Sequence, residues 1–191
     1  GVDYNILTVI TKNTVRSYRA IHSFFKKKGF RYQQFIPCLD EYDAERGSSF
    51  YSLKPEQYAR FLKDLFDVWY QDIRSGNYVY IRYFENLEGI LMGVEPESCG
   101  LLGGCHAQLV VEADGSAYPC DFYVTDSYRM GNIQESCLAE LLSCETAKRF
   151  EQESYPPHPD CISCRYGYLC RGGCRRDRDY RGMIGKNYYC E

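Results

Sequence analysis

The chain has 191 residues, of which 45% are hydrophobic and 26% charged, with a formal net charge of −3. That is enough apolar material for one domain or two small ones, and it leaves no basic footprint for nucleic acid. No run approaches the about 18 apolar residues of a membrane span, so neither nucleic acid nor membrane is an expected partner. The opening GVDYNILTVITKN has no basic n-region and no small-residue cleavage site, so it is not a secretory signal, and a cytoplasmic protein is expected. A chain that opens within a strand reads as a piece of something longer.

Residues 1–94 read as α/β. A strand over about Tyr4–Ile10 leads to Asn13, a good N-cap residue. Val15, Tyr18, Ile21, Phe24 and Phe25 then recur at helical spacing. KKKG closes that helix, with lysines at its negative end and Gly29 just beyond it. RYQQFIP is a second strand and DEYDAERGSSF a polar loop. Pro55 opens a second helix, whose wide apolar stripe runs from Tyr58 through Phe61, Leu62, Leu65, Phe66, Trp69 and Ile73 to Gly76. YVYIRYF reads as a third strand. Alternating strands and helices imply parallel pairing, and three strands cannot close a barrel, so this half reads as the end of a larger unit. His22, on the first helix, reads as a surface residue.

Residues 95–191 change character as Gly, Cys and Tyr become frequent and long periodic runs vanish. QLVVEADGSAYPC is a hairpin around Asp114-Gly115. SCLAELLSCETAKRF reads as one amphipathic helix with Leu138, Leu141, Leu142 and Phe150 inward. Cys137 and Cys144, seven apart on it, read as small buried hydrophobes. His106 reads as a turn residue facing solvent and His158 as a loop residue. A segment with so little periodic apolar surface needs another source of order, which bound metal can supply.

Eleven cysteines, an odd count concentrated in the second half, favour metal or cluster binding over a disulfide scaffold. Eight of them stand outside the periodic elements. Cys99, Cys105 and Cys120 form one group, and Cys161, Cys164, Cys170 and Cys174 a second, spaced C-x2-C-x5-C-x3-C, with Cys190 near the end. Eight thiolates make two sets of four, which suits tetrahedral zinc or an iron–sulfur cube equally by count. The glycines of CGLLGGC and CRGGC let the backbone bend tightly and turn N–H groups towards sulfur. Asp121, directly after Cys120, reads from the residues alone as a turn cap or as a partner for an arginine of RGGCRR. Leu39, in PCLD, reads as a core leucine at a strand end.

CHAQLVVEADGSAYPC, CISCRYGYLCRGGC and the final Cys190 together resemble the SPASM domain, an extension of one class of radical S-adenosylmethionine enzymes. AYPCDFYV, MGNI, LCRGGCRRDRD and NYYCE are similar to the anaerobic sulfatase-maturating enzymes, and NILTVITKN and KKKGFRYQQFIPCLD resemble late strands of that family's partial barrel. The resemblance implies an α/β plus α+β architecture: the last strands and helices of a partial TIM barrel over residues 1–94, then a small Cys-rich SPASM domain with a β-hairpin over residues 95–191. It assigns ligands in an interleaved way. Cys99, Cys105, Cys120 and Cys174 match one auxiliary [4Fe–4S] site, and Cys161, Cys164, Cys170 and Cys190 the other. It makes Asp121 the base that takes a proton from substrate, and it sets Leu39 near the cofactor.

The reaction the resemblance implies is oxidation of a Cys or Ser of a sulfatase polypeptide to Cα-formylglycine. A 5′-deoxyadenosyl radical removes hydrogen from Cβ, and the surplus electron leaves through the auxiliary clusters to a carrier such as ferredoxin or flavodoxin. The family's C-x3-C-x2-C loop, which holds a third [4Fe–4S] cluster and S-adenosylmethionine, is not in this chain; the nearest approach is Cys170-x3-Cys174, followed three residues later by Asp177. The expectation is therefore the C-terminal portion of a longer enzyme that does not itself cleave S-adenosylmethionine. The alternatives are the same domain in another peptide-modifying maturase, or a non-catalytic binding module stabilised by zinc, which thiolates also accept as a substitute.

Overall fold

The computed structural model describes residues 2, 4–42, 44–155, 157–180 and 183–190. The chain forms two compact units, residues 1–98 joined by the segment from Tyr188, and Cys99–Asn187.

In the first unit β1 (Ile6–Ile10), β2 (Tyr32–Pro37) and β3 (Tyr80–Ile81) form a parallel sheet in that order, with Ile6 opposite Gln33, Ile10 opposite Pro37 and Tyr32 opposite Tyr80. The crossovers are helical, α1 (Tyr18–Lys27) and α2 (Pro55–Arg74), as parallel pairing requires. Pro55 sits at the first turn of α2, where its missing N–H is no loss, and Gln57 reaches back to the Lys54 N–H at 3.0 Å. Tyr58, Phe61, Leu65 and Trp69 are the buried stripe of α2 and share one core with Ile10, Phe35 and Ile81 of the sheet and with Val79 just before β3. Phe35 and Phe61 pack edge to face at 5.8 Å, and the Trp69 indole donates to the Val79 carbonyl at 2.9 Å.

Three expectations fail here. YVYIRYF is not a full strand: only Tyr80 and Ile81 pair, and α3 (Arg82–Leu91) begins at once, burying Phe84 and Asn86. Asn13 is not the cap, since Ser17 precedes α1 and makes no side-chain cap bond. His22 is buried, at 2% exposure, because its Nε2 bonds Asp72 of α2 at 2.6 Å while Lys26 bonds the other carboxylate oxygen.

In the second unit β4 (Val110–Val111), β5 (Ser116–Tyr118) and β6 (Gly131–Asn132) form an antiparallel sheet. The β4–β5 turn carries Gly115 at φ +83°, and the Asp114 carboxylate accepts from the Ser116 N–H and hydroxyl, bonds that hold it below the usual carboxylate range. Residues 136–150 are two helices rather than one, α4 (Leu138–Ser143) and α5 (Glu145–Gln152), because Cys144 is extended (ψ 164°) and its Sγ accepts from the Ala147 N–H at 3.4 Å. Cys137 and Cys144 are thus N-cap residues, Cys137 exposed and Cys144 half-buried, not a buried pair on one face. Leu141 and Phe150 point inward as expected, but Leu138 is 55% exposed and Leu142 42%. After these come α6 (Pro159–Ile162), α7 (Gly167–Cys170), α8 (Arg175–Arg178) and the short antiparallel pair β7 (Asp179–Tyr180) and β8 (Met183–Ile184).

Candidate functional site

The eleven cysteines are thiols and not disulfides. Within the second unit four of them gather. Cys105 lies in electrostatic range of Cys99, Cys120 and Cys174, and Cys174 of Cys99. Local chain geometry explains how residues up to 75 positions apart converge. Gly100 lets the Cys99 turn lie flat on Cys174, whose backbone N would sit 3.4 Å from any Cβ there. A Cβ at Gly104 would overlap the Tyr155 ring. The Cys105 N–H is anchored at 2.9 Å on the hydroxyl of Ser154, a fully buried residue at the end of α5. Cys120 follows β5 directly.

Burial is the first cause of the high thiol pKa values here. Cys174 is pushed up to about 12 by burial and then by Asp177; Cys120 is pushed up to about 12 by burial, with Asp121 adding to it against the Phe122 N–H. Cys105 is raised by burial against the pull of Arg175 and Arg178. These thiols are therefore protonated at neutral pH until a metal replaces their protons.

Three arginines in one turn of helix line the same region. Arg175, Arg176 and Arg178 of α8 are all buried. Arg175 donates to the Phe150 carbonyl at 2.9 Å, the Tyr128 hydroxyl at 2.7 Å and Glu153 at 3.1 Å, and its guanidinium lies about 5 Å from the rings of Tyr123, Tyr128 and Phe150. Arg178 donates to the Ser154 carbonyl at 3.2 Å, while its buried Nε and Nη1 have no partner among the described residues. Buried cations call for anions. A metal group held by four thiolates would supply negative charge at this place, so the residues fit such a group. Nothing in RRDR itself marks these arginines as buried, and the sequence offers those of RGGCRR only as candidate partners for Asp121; their density beside Cys174 is the available signal.

The second set is gathered in part. Cys161 lies within α6, the Cys164 N–H reaches the Cys161 carbonyl at 3.4 Å, and the Cys164 Sγ accepts from the Tyr166 N–H at 3.4 Å. Gly167 is required, since a Cβ would lie 2.8 Å from the Cys161 carbonyl oxygen. Cys170 ends α7. Between Cys170 and Cys174 three successive residues have positive φ, Arg171 (49°), Gly172 (90°) and Gly173 (72°), which reverses the chain between the two cysteines. Cys190 belongs to the first unit, with Tyr188 and Tyr189. Among the described residues no three His, Cys, Asp or Glu side chains close on a single ion.

Asp121 opens the turn after Cys120 and is exposed, with its Oδ1 3.4 Å from the Cys120 Sγ. Leu39 is half-buried just past the carboxyl end of β2, beside Cys38, whose thiol is raised by burial and then by Asp40. His106 and His158 lie outside both sets.

Residues 104–165 match the family model of SPASM, an iron–sulfur cluster-binding domain. The whole chain aligns, at 49% identity, with 52% of a cysteine-type anaerobic sulfatase-maturating enzyme of Clostridium perfringens (strain 13 / Type A). Over its whole length the chain is similar to the anaerobic sulfatase-maturating enzymes. A cysteine-type enzyme of Clostridium novyi (strain NT) is 46% identical, and a serine-type anaerobic sulfatase-maturating enzyme of Bacteroides thetaiotaomicron 28%. The chain spans about half the length of these maturating enzymes. Native anSMEcpe, solved with bound AdoMet and a Cp18Cys peptide, superposes with a TM-score of 0.93 at 48% identity, over 99% of this chain and 53% of that one. Streptococcus suis SuiB, solved with S-adenosylmethionine, shares the fold at a TM-score of 0.57 and 13% identity. No helix among the described residues is long and apolar enough to cross a membrane.

Proposed function

We propose that this chain is the iron–sulfur portion of a cysteine-type anaerobic sulfatase-maturating enzyme, a cytoplasmic radical S-adenosylmethionine oxidoreductase. The observation that carries the reading is the convergence of Cys99, Cys105, Cys120 and Cys174 beside three buried arginines, in a chain almost half identical to cysteine-type relatives. These four cysteines would hold one auxiliary [4Fe–4S] cluster, and Cys161, Cys164, Cys170 and Cys190 the other. Residues 1–94 are the end of a partial TIM barrel and residues 95–191 the SPASM domain, with β4 and β5 as its hairpin. The greater identity to cysteine-type than to serine-type enzymes, 49% against 28%, favours a sulfatase cysteine as substrate.

When bound, the auxiliary clusters supply one-electron acceptance. Conversion of the substrate thiol to a thioaldehyde releases a hydrogen atom from Cβ, a proton and an electron; water then replaces sulfur, giving the aldehyde and hydrogen sulfide. In the whole enzyme S-adenosylmethionine, held at a third cluster, would supply the radical that takes the hydrogen atom. Asp121 takes the proton: its carboxylate is exposed and adjoins Cys120, so substrate and cluster ligand meet on one turn. The electron passes on to ferredoxin or flavodoxin. Leu39 contributes apolar surface to the S-adenosylmethionine site, a role suited to the carboxyl end of a parallel strand, where open α/β sheets bind ligands. Lacking C-x3-C-x2-C, the 191-residue chain does not cleave S-adenosylmethionine by itself.

The test is anaerobic reconstitution with iron and sulfide. About eight irons per chain are expected, four per thiolate set, and Cys174→Ala should lower the count to about four. Two zincs with no iron uptake would overturn the reading.

A further inference from the structure

Arg178 takes no part in the hydrogen-atom, proton and electron transfers just described. It is 2% exposed, and of its guanidinium nitrogens only Nη2 has a partner, the Ser154 carbonyl at 3.2 Å; Nε and Nη1 have none among the described residues. Ser154 also receives the Cys105 N–H on its hydroxyl at 2.9 Å, so one residue ties Arg178 and Cys105 to the same point. The guanidinium lies in electrostatic range of Cys105. On its other side it lies against Gly172, where a Cβ would meet Nη1 at 3.8 Å and Cζ at 3.9 Å. That glycine, at φ +90°, lets the chain between Cys170 and Cys174 close over the group. A permanent cation held out of water with two N–H donors unspent is costly unless an anion stands beside it.

We propose that Arg178 is the positioning charge of the first iron–sulfur site: its guanidinium compensates the thiolate-held cluster at Cys105 and raises that cluster's reduction potential. The inference rests on the iron–sulfur reading. Its physics is Coulombic. One-electron reduction adds one negative charge to the cluster and no proton, and a fixed cation in a poorly screened interior favours the more negative state.

The experiment is a dithionite titration of the reconstituted chain, followed by electron paramagnetic resonance, with the first site identified as the signal lost in Cys174→Ala. Arg178→Gln removes the charge and Arg178→Lys keeps it. In Arg178→Gln, the ratio of reduced to oxidised first cluster at fixed potential should fall at least tenfold, a shift of about 59 mV for one electron. The second signal should stay in place, and Arg178→Lys should return most of the shift. If Arg178→Gln instead holds only about four irons while Arg178→Lys holds about eight, the charge requirement is equally supported. An unmoved midpoint in Arg178→Gln with about eight irons bound overturns the inference alone. So does an equal loss or shift in both variants, which would make Arg178 a matter of shape. A wild-type chain that takes up no iron overturns the reading beneath it and the inference with it.

Discussion

The Asp72 carboxylate, on the last turn of α2, takes hydrogen bonds from His22 and Lys26 of α1, and these span 50 and 46 residues. Burial by itself raises the Asp72 carboxyl; the Lys26 and His22 bonds outweigh it and hold it below the usual carboxylate range. A folded-state value below the unfolded one means that the stabilisation is complete above the ordinary aspartate pKa, about 3.9, and is lost as pH falls through the folded value. Asp72→Asn should therefore lower stability at pH 7 by about 1–3 kcal/mol, the range for leaving buried polar groups unmatched. Urea midpoints measured at pH 7 and again near pH 3 check this, and the gap between wild type and variant should narrow at the lower pH. His22 was illegible as a buried residue for a physical reason: its partner lies on another helix, and helical periodicity reports only which face a residue occupies. Arg175, Arg176 and Arg178 were hidden in the same way, since a charge run reads as solvated until the aromatic box of Tyr123, Tyr128 and Phe150 is seen around it.

At the scale of elements, the legible parts were the long ones. Pro55–Arg74 shows five turns of apolar stripe, and β1 and β2 are strands bounded by turn residues. YVYIRYF was not legible, because a short apolar run fits a strand and the start of a helix equally, and β2 is left only two residues to pair with there. The cysteine spacings announced metal chemistry, but their division into sets came from family resemblance, since spacing carries no information on which loops meet. The break between α4 and α5 is the subtlest miss. Leu138, Leu141 and Leu142 before it and Phe150 after it keep helical spacing, and the interruption is one extended residue, Cys144, whose sulfur does the work of a capping hydroxyl. Oxygen is the better acceptor, so Cys144→Ser should keep or improve thermal stability, whereas Cys144→Ala should cost about 1 kcal/mol, the usual loss on removing an N-cap. Both variants should keep the wild-type iron content. A loss of iron in Cys144→Ser would mean that the thiol is a ligand and not a cap.

For the whole molecule, the two units differ in what keeps each of them folded. The first has one continuous buried cluster of eleven residues, from Ile10 to Phe84, built on aromatic contacts among Phe35, Phe61, Trp69 and their neighbours. The corresponding cluster of the second unit is Ala117, Met130, Leu141 and Ala147, two of them alanines, supplemented by the aromatic box around Arg175. Apolar burial near 25 cal/mol per Å² gives such a cluster little margin against chain entropy, and the described residues from Pro159 to Asn187 form four-residue helices and one short strand pair between turns. Metal binding then supplies folding free energy, since thiolates brought together by the fold are dispersed in the unfolded chain. Anaerobic removal of iron with a chelator should therefore split thermal unfolding into two transitions, the lower one belonging to residues 99–187. Limited proteolysis of the stripped chain should cut first within that span, between Pro159 and Asn187, while the core from Ile10 to Phe84 stays intact. Added iron and sulfide should restore protection in wild type, and only in part in Cys174→Ala, which keeps one thiolate set. A stripped chain that melts in one transition at the temperature of the loaded one would show that packing holds the second unit without metal, and that the buried thiols and arginines are balanced by the protein itself.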